Sequence, residues 1–206
     1  MEDSYVHDTY NNISAEFDKS RYSPWPSVKD FVNSLDPNSY LLDAGCGNGK
    51  NMQIRNDLKC IGCDASNSFV DICKSKGLSV INANIKQLPF LDNIFDAVIC
   101  IAVIHHIFEK KDRIVAINEL IRVLKPKGKL LFQVWAREQQ LTKKFIPIEN
   151  SNSDFFVTWK GDNKRYYHLF QEDEIINLIK NINGIKLLKK EYEKDNWVII
   201  LEKNDT

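Results

Sequence analysis

The chain has 206 residues, and 28 Lys and Arg are set against 28 Asp and Glu, so its formal net charge is zero. That length suits one domain with a sizeable core. Neutrality excludes nucleic-acid binding driven by a global positive field, so an RNA partner would need a local basic patch or a second subunit. No run approaches the roughly 18 apolar residues of a membrane span. The polar N-terminus carries no signal-peptide pattern. The expectation is a cytoplasmic protein, compatible with a nuclear pool, and no membrane partner. Five cysteines (Cys46, Cys60, Cys63, Cys73 and Cys100) fall in expected core elements, which implies reduced thiols. Cys60 and Cys63 have C-x-x-C spacing, but on a strand such positions face opposite sides. No second Cys/His pair follows, so no metal is expected.

In chain order, residues 4–18 read as a helix, with Val6, Tyr10, Ile13 and Phe17 on one face. Pro26 opens a second helix with a stripe of Val28, Phe31, Val32 and Leu35. A strand over 39–43 leads into Asp43-Ala44-Gly45-Cys46-Gly47-Asn48-Gly49, followed by a short helical run from Lys50 to Ile54. A second strand, 59–63, ends at Asp64, and Ser66 is placed to cap a helix over 67–76 that stops at Gly77. A third strand, 78–82, runs to Asn84-Ile85. The near-continuous apolar run Phe95–Ile101 reads as a strand covered on both faces, and His105 and His106 follow its end. A helix over 111–124, a turn at Pro126-Lys127-Gly128 and a strand over 129–135 come next. Residues 137–165 lose all periodicity and read as a long functional loop. A short extended segment, a helix over 172–182 and a hairpin around Asp195-Asn196 close the chain. Strands alternating with helices predict a parallel sheet with right-handed crossovers.

The glycine turn carries the chemistry. Glycine lets a ligand lie against the main chain, and a helix start beyond it offers free N–H groups. Asp64, about twenty residues on at the tip of the next strand, is placed for ribose hydroxyls. The spacing is G-x-G-x-G rather than the G-x-G-x-x-G of dinucleotide sites. The acid ahead of it suits an ammonium better than a pyrophosphate. Both departures point to S-adenosylmethionine.

This order of elements resembles the class I S-adenosylmethionine-dependent methyltransferases. The likeness rests on Asp43 to Gly49, Asp64, Leu88-Pro89-Phe90 with Phe95-Asp96, and Leu124 to Gly128. Further motifs are Val6-His7-Asp8, Arg21-Tyr22 with Pro24-Trp25-Pro26, Ala102 to His106, Trp135-Ala136, Arg165 to Phe170, and Tyr192 to Trp197. With these the chain resembles the eukaryotic tRNA methyltransferases that esterify 5-carboxymethyluridine at the wobble position. The resemblance implies an α/β fold of Rossmann-like type: a mostly parallel seven-stranded sheet, helices on both faces, and an antiparallel last strand. It also implies one domain over 1–206, with N-terminal helices over 1–36 and a substrate-side insertion over 137–165. The partners it implies are the tRNA anticodon loop and a small zinc-containing activator subunit in a heterodimer. A small-molecule methyltransferase and a non-catalytic cofactor-binding subunit are the alternatives.

On this reading Asp43, Gly45, Cys46 and Gly47 cradle the methionine end of the cofactor. Asp64 meets the ribose, Asn84 and Ile85 the adenine and Arg21 the cofactor carboxylate, and Ala65 and Ile101 are further cofactor-binding residues. A carboxylate nucleophile is already ionised at pH 7, so the site needs alignment rather than a strong base. His106, expected to face inward, His105 and Arg137 are the candidates for that role. Trp159, Arg165 and Tyr166 are expected to hold the base, and Lys143 and Lys144 the phosphates. Core packing is the expectation for Tyr167 and Trp135.

Overall fold

A computed structural model describes residues 23–158 and 164–205. The expected helix over 4–18, Arg21 and Trp159 lie outside the described residues. Pro26 opens helix α1 (Pro26–Asn33), whose buried stripe is Val28, Phe31 and Val32. The strands β1 (Tyr40–Ala44), β2 (Lys59–Asp64), β3 (Val80–Asn82), β4 (Phe95–Ile101), β5 (Leu124–Trp135), β9 (Ile185–Glu193) and β10 (Asn196–Lys203) form one seven-stranded sheet. Its order is β3-β2-β1-β4-β5-β10-β9; β10 pairs antiparallel with β5 and β9, and every other pair is parallel. After β1 the chain builds outward through β2 and β3, then returns to β4 on the other side. The order therefore reverses beside β1, and a crevice opens at the carboxyl ends of β1 and β4.

Both faces are covered, which is why β1 and β4 tolerate unbroken apolar runs. Helix α1 packs on Leu41, Ala97, Ile99, Leu131 and Val198. Helices α3 (Lys110–Arg122) and α4 (Glu172–Lys180) cover Leu42, Val98, Leu130, Phe132 and Ile199 on the other face. Helix α2 (Asn67–Ser75) starts where the Ser66 hydroxyl accepts the Phe69 N–H, and it ends before Gly77 at φ 74°. No helix among the described residues is long and apolar enough to cross a membrane.

Two elements differ from the sequence reading. Residues 137–165 do not form a structureless loop. Strands β6 (Phe145–Pro147), β7 (Asp154–Thr158) and β8 (Lys164–His168) make a separate antiparallel sheet. Its buried side chains, Phe155, Val157, Tyr167 and Leu169, gather against Trp135 and Phe145. The alternation in β7 lasts only five residues, too short to stand out from its polar flanks. The second difference is that β5 begins at Leu124 and runs through Pro126-Lys127-Gly128 as a bulge. Lys127 sits at φ 63°, and the register with β4 slips between Phe95 and Ala97. A side chain at Gly128 would stand 2.8 Å from the Lys125 carbonyl oxygen, so glycine is required there.

Phe132 is wholly buried at the middle of the sheet, whereas Leu91 is 78% exposed. Phe132→Ala should lower the unfolding free energy by about 3–5 kcal/mol, and Leu91→Ala should change it by less than about 0.5 kcal/mol. Urea titrations that gave the two variants similar losses would contradict this packing.

Candidate active site

The end of β1 turns through Gly45 at φ 78° and Gly47 at φ 52°. A side chain on Gly45 would lie 2.2 Å from Cγ2 of Val103, so the turn passes tight against the loop after β4. The Gly45 and Cys46 N–H groups both donate to the Cys63 carbonyl, at 2.8 and 2.9 Å. The Gly47 N–H donates to Asp64 Oδ2 at 2.9 Å, and the Ser66 N–H to Asp64 Oδ1 at 2.9 Å. One carboxylate thus ties the turn after β1 to the start of α2.

These loops form one wall of a cleft open to solvent. Gly45, Cys46, Gly47, Asp64, Ala65, Asn84, Ile85 and Ile101 line it, so the structure gathers eight of the residues assigned to the cofactor. No atom approaches within 4 Å of where a Gly47 side chain would stand, leaving bare main chain toward that space. Asp43 is fully buried and is not part of the cleft wall. Both of its carboxylate oxygens lack a hydrogen-bond partner among the described residues. Burial, and then the nearby Asp64 charge, push its carboxyl up to about 7, against the pull of Lys50 and Asn51. A buried acid just ahead of a glycine cradle fits a ligand that brings an ammonium group and a nucleoside, as S-adenosylmethionine does.

The opposite wall carries His106, Trp135, Arg165 and Tyr167. His106 Nδ1 lies 2.7 Å from the Tyr166 carbonyl oxygen. A carbonyl only accepts, so Nδ1 bears the proton. Burial, with help from the Arg165 charge, pushes the ring down to about 3, which leaves it neutral at pH 7. His105 has the other tautomer: the Trp135 N–H donates to its Nδ1 at 3.1 Å, so its proton is on Nε2. His105 is fully buried and does not line the cleft. Trp135 and Tyr167 stack with centroids 4.2 Å apart and planes at 21°, and the Arg165 guanidinium lies 5.3 Å from the Tyr167 ring centre. Arg165 is only 3% exposed, which makes it a fixed, desolvated cation.

Other assigned residues are elsewhere. Arg137 donates to the Asn152 carbonyl at 2.7 Å and rests over Phe155, away from the cleft. Tyr166 turns to the opposite side of β8, where its hydroxyl donates to Asp154. Lys143 and Lys144 are exposed on the insertion and do not line the cleft. Conversely, Trp135 and Tyr167 are both packed and cleft-lining, and Trp25 and Phe69 join the wall unforeseen. Trp135 ends β5 on the carboxyl edge of the sheet, a position that could have marked it. Ala102, at φ 61°, holds a left-handed backbone at the cleft, which its side chain gave no reason to expect.

A family model described as a methyltransferase domain matches residues 42–132. A tRNA (carboxymethyluridine(34)-5-O)-methyltransferase from Schizosaccharomyces pombe is 35% identical, over 98% of both chains. Its counterpart from Xenopus tropicalis is 32% identical over 98% of this chain, which spans only 41% of that longer relative. Among solved structures, a SAM-dependent methyltransferase from Methanosarcina mazei superposes with a TM-score of 0.72 at 22% identity, covering 88% of this chain and 99% of that one. A Haloferax volcanii methyltransferase in complex with the Trm112 activator matches with a TM-score of 0.72 at 15% identity over 97% of each chain. Both structural likenesses concern the fold.

Two measurements check the cofactor side. Asp64→Ala should weaken S-adenosylmethionine binding by about 1–3 kcal/mol, because it removes a ribose partner and frees Gly47 and Ser66 together. Unchanged affinity in calorimetry would remove Asp64 from the site. Asp43 titrates near 7 in the folded chain against 3.8 for an ordinary Asp, so the fold holds its proton more tightly. Stability without cofactor should therefore fall as pH rises from 4 to 7. Affinity for the cationic ligand should tighten over pH 5.5 to 7, by at most about tenfold per unit. Asp43→Asn should flatten both trends.

Proposed function

The chain belongs to the family of tRNA (carboxymethyluridine(34)-5-O)-methyltransferases, and from that membership we propose that it methyl-esterifies the carboxylate of 5-carboxymethyluridine at position 34 of tRNA. The methyl donor is S-adenosylmethionine. The observation that carries the reading is the buried Arg165 guanidinium on the cleft wall opposite the glycine turn. A guanidinium offers a planar fork that matches a carboxylate.

S-adenosylmethionine, when bound, supplies a methyl carbon on a sulfonium, which takes an electron pair from a carboxylate oxygen as the carbon–sulfur bond breaks. A carboxylate with a pKa of about 4 needs no deprotonation, so no cleft residue has to act as a base. That suits His106, which is neutral at pH 7 and has its Nδ1 proton committed to the Tyr166 carbonyl. Arg165 orients the nucleophile, and the fork leaves one oxygen lone pair directed at the methyl group. Trp135 and Tyr167 supply an aromatic wall that excludes water and offers a face to an extruded uracil, a contact worth about 1–3 kcal/mol. Asp64 and the glycine turn would hold the other reactant, and in-line transfer needs the reacting atoms brought within about 3–3.5 Å. Lys143 and Lys144, exposed on the insertion, are the phosphate contacts in this reading. The family resemblance adds a small zinc-containing activator subunit and a cytoplasmic setting to this reading; the Haloferax volcanii methyltransferase of similar fold is solved in complex with the Trm112 activator.

Incubating the purified chain, with and without the activator, with labelled S-adenosylmethionine and tRNA bearing carboxymethyluridine should place a base-labile label on nucleotide 34. Absence of label under both conditions would refute the assignment. Arg165→Met should lower kcat/KM about 10- to 100-fold, the worth of a charge-assisted hydrogen bond. Cofactor affinity should stay unchanged, and Arg165→Lys should recover only part of the loss.

A further inference from the structure

Behind the cleft lies a second polar cluster that the methyl-transfer reading does not use. His168 on β8 places Nδ1 2.7 Å from Asp154 Oδ1 and Nε2 2.8 and 2.9 Å from the two carboxylate oxygens of Glu174. Carboxylates accept and do not donate, so this geometry requires a proton on both ring nitrogens. The ring is an imidazolium clamped between strand β7 and helix α4. Arg113 of α3, 4% exposed, closes the cluster, at 3.5 Å from Glu174 and 3.9 Å from Asp154. Its Nε–H donates to the Ile107 carbonyl, and Nη2 donates to the Phe108 carbonyl and the Tyr166 hydroxyl. Asp154 also accepts from the Tyr166 and Ser151 hydroxyls. Two cations and two carboxylates balance within a space where an unpaired charge would be costly. The groups facing His168 are thus Asp154 from β7, Tyr166 from its own strand, Glu174 from α4 and Arg113 from α3.

Side chains alternate along a strand. Tyr166 and His168 face this cluster, so Arg165 and Tyr167 face the cleft. The cluster ties the small insertion sheet to α3 and α4, and the Tyr166 carbonyl that fixes His106 belongs to the same segment. We propose that His168 is a positioning residue: as an imidazolium bridging Asp154 and Glu174, it locks β8 so that Arg165 and Tyr167 stay aimed at the substrate carboxylate. The inference rests on the reading of those two residues as the substrate wall. Losing one proton would leave the ring a donor to only one of its two carboxylates. Both carboxylates hold the imidazolium, so its proton is retained above the ordinary value of 6.5. The contribution to stability is complete below 6.5 and fades as pH rises through the higher folded value.

Three readouts on the full-length chain test this. Nitrogen NMR of labelled histidine should show His168 losing its double protonation with a midpoint above 6.5. A midpoint at or below 6.5 would overturn the proposal. His168→Gln should reduce hydrogen-exchange protection of β7 and β8 amides while leaving β1, β4 and cofactor affinity as in the wild type. These readouts need no tRNA, so their outcome is separable from the substrate assignment. With tRNA, the variant should raise KM about tenfold, one hydrogen bond's worth, with kcat changed far less. The wild-type advantage in KM should shrink as pH rises past the midpoint. A KM advantage independent of pH, or equal losses in cofactor affinity and KM, would mean a purely structural role and sink the idea. Glu174→Gln, which keeps the Asp154 bond, covers the case in which His168→Gln does not fold. It should lower the midpoint; an unmoved midpoint counts against the bridge.

Discussion

The Asp64 carboxylate is the constraint on which the cofactor side depends. One oxygen takes the Gly47 N–H and the other the Ser66 N–H. The sheet alone aligns β1 and β2 only up to Ala44 and Cys63. Beyond that point the Cys63 carbonyl still takes the Gly45 and Cys46 N–H groups, and Asp64 carries the tie one residue further, to Gly47. A carboxylate suits the task because it has lone pairs in several directions and donates nothing. Two N–H groups still leave acceptor capacity on the same oxygens, which is what a ribose diol needs. The left-handed glycines serve the same turn: the Gly45 N–H is aimed at the Cys63 carbonyl and the Gly47 N–H at Asp64, while Val103 fills the place a Gly45 side chain would need.

Across the cleft the electrostatics are sorted by hydrogen-bond complementarity. The two adjacent histidines hold opposite tautomers, because one meets a backbone N–H and the other a backbone carbonyl. Neither is cationic, so Arg165 is the charged group on that wall. A site with a buried guanidinium and a neutral imidazole favours an anionic nucleophile that arrives already ionised. It disfavours an amine or hydroxyl, which would have to shed a proton to a base that a ring with a pKa of about 3 does not supply.

The parallel sheet and its glycine turn were legible because their physics is local. A turn that needs positive φ selects glycine, and a strand buried on both faces selects an unbroken apolar run. Ser66 and Gly77 mark the limits of α2 for equally local reasons. The insertion sheet was not legible, since β6 and β7 are three and five residues long and gain their order from Trp135 and Tyr167, which lie elsewhere in the chain. The inward turn of His106 was a guess between neighbours; its tautomer depends on a carbonyl 60 residues away. Arg137 and Tyr166 were assigned on residue type alone, but both are occupied elsewhere, the first by the Asn152 carbonyl and the second by Asp154. Trp135 and Tyr167 defeated the choice between core and site because a stacked pair at the edge of a cleft is both.

The two halves of the cleft therefore differ in how they are held. The cofactor wall hangs from the strand ends of the central sheet, whose hydrogen-bond ladders and apolar faces leave it little freedom. The substrate wall stands on a small sheet with a core of four buried residues, too little to fix it by apolar packing alone. Charge makes up the difference: Asp154 and His168 of the small sheet meet Arg113 of α3 and Glu174 of α4, joining β7 and β8 to the main body. Apolar packing resists pH and salt, whereas a charge network with a histidine at its centre responds to both. A rise of pH above 6.5 should therefore act on the substrate wall through its support, whereas the cofactor wall responds through Asp43 as pH rises from about 4 to 7.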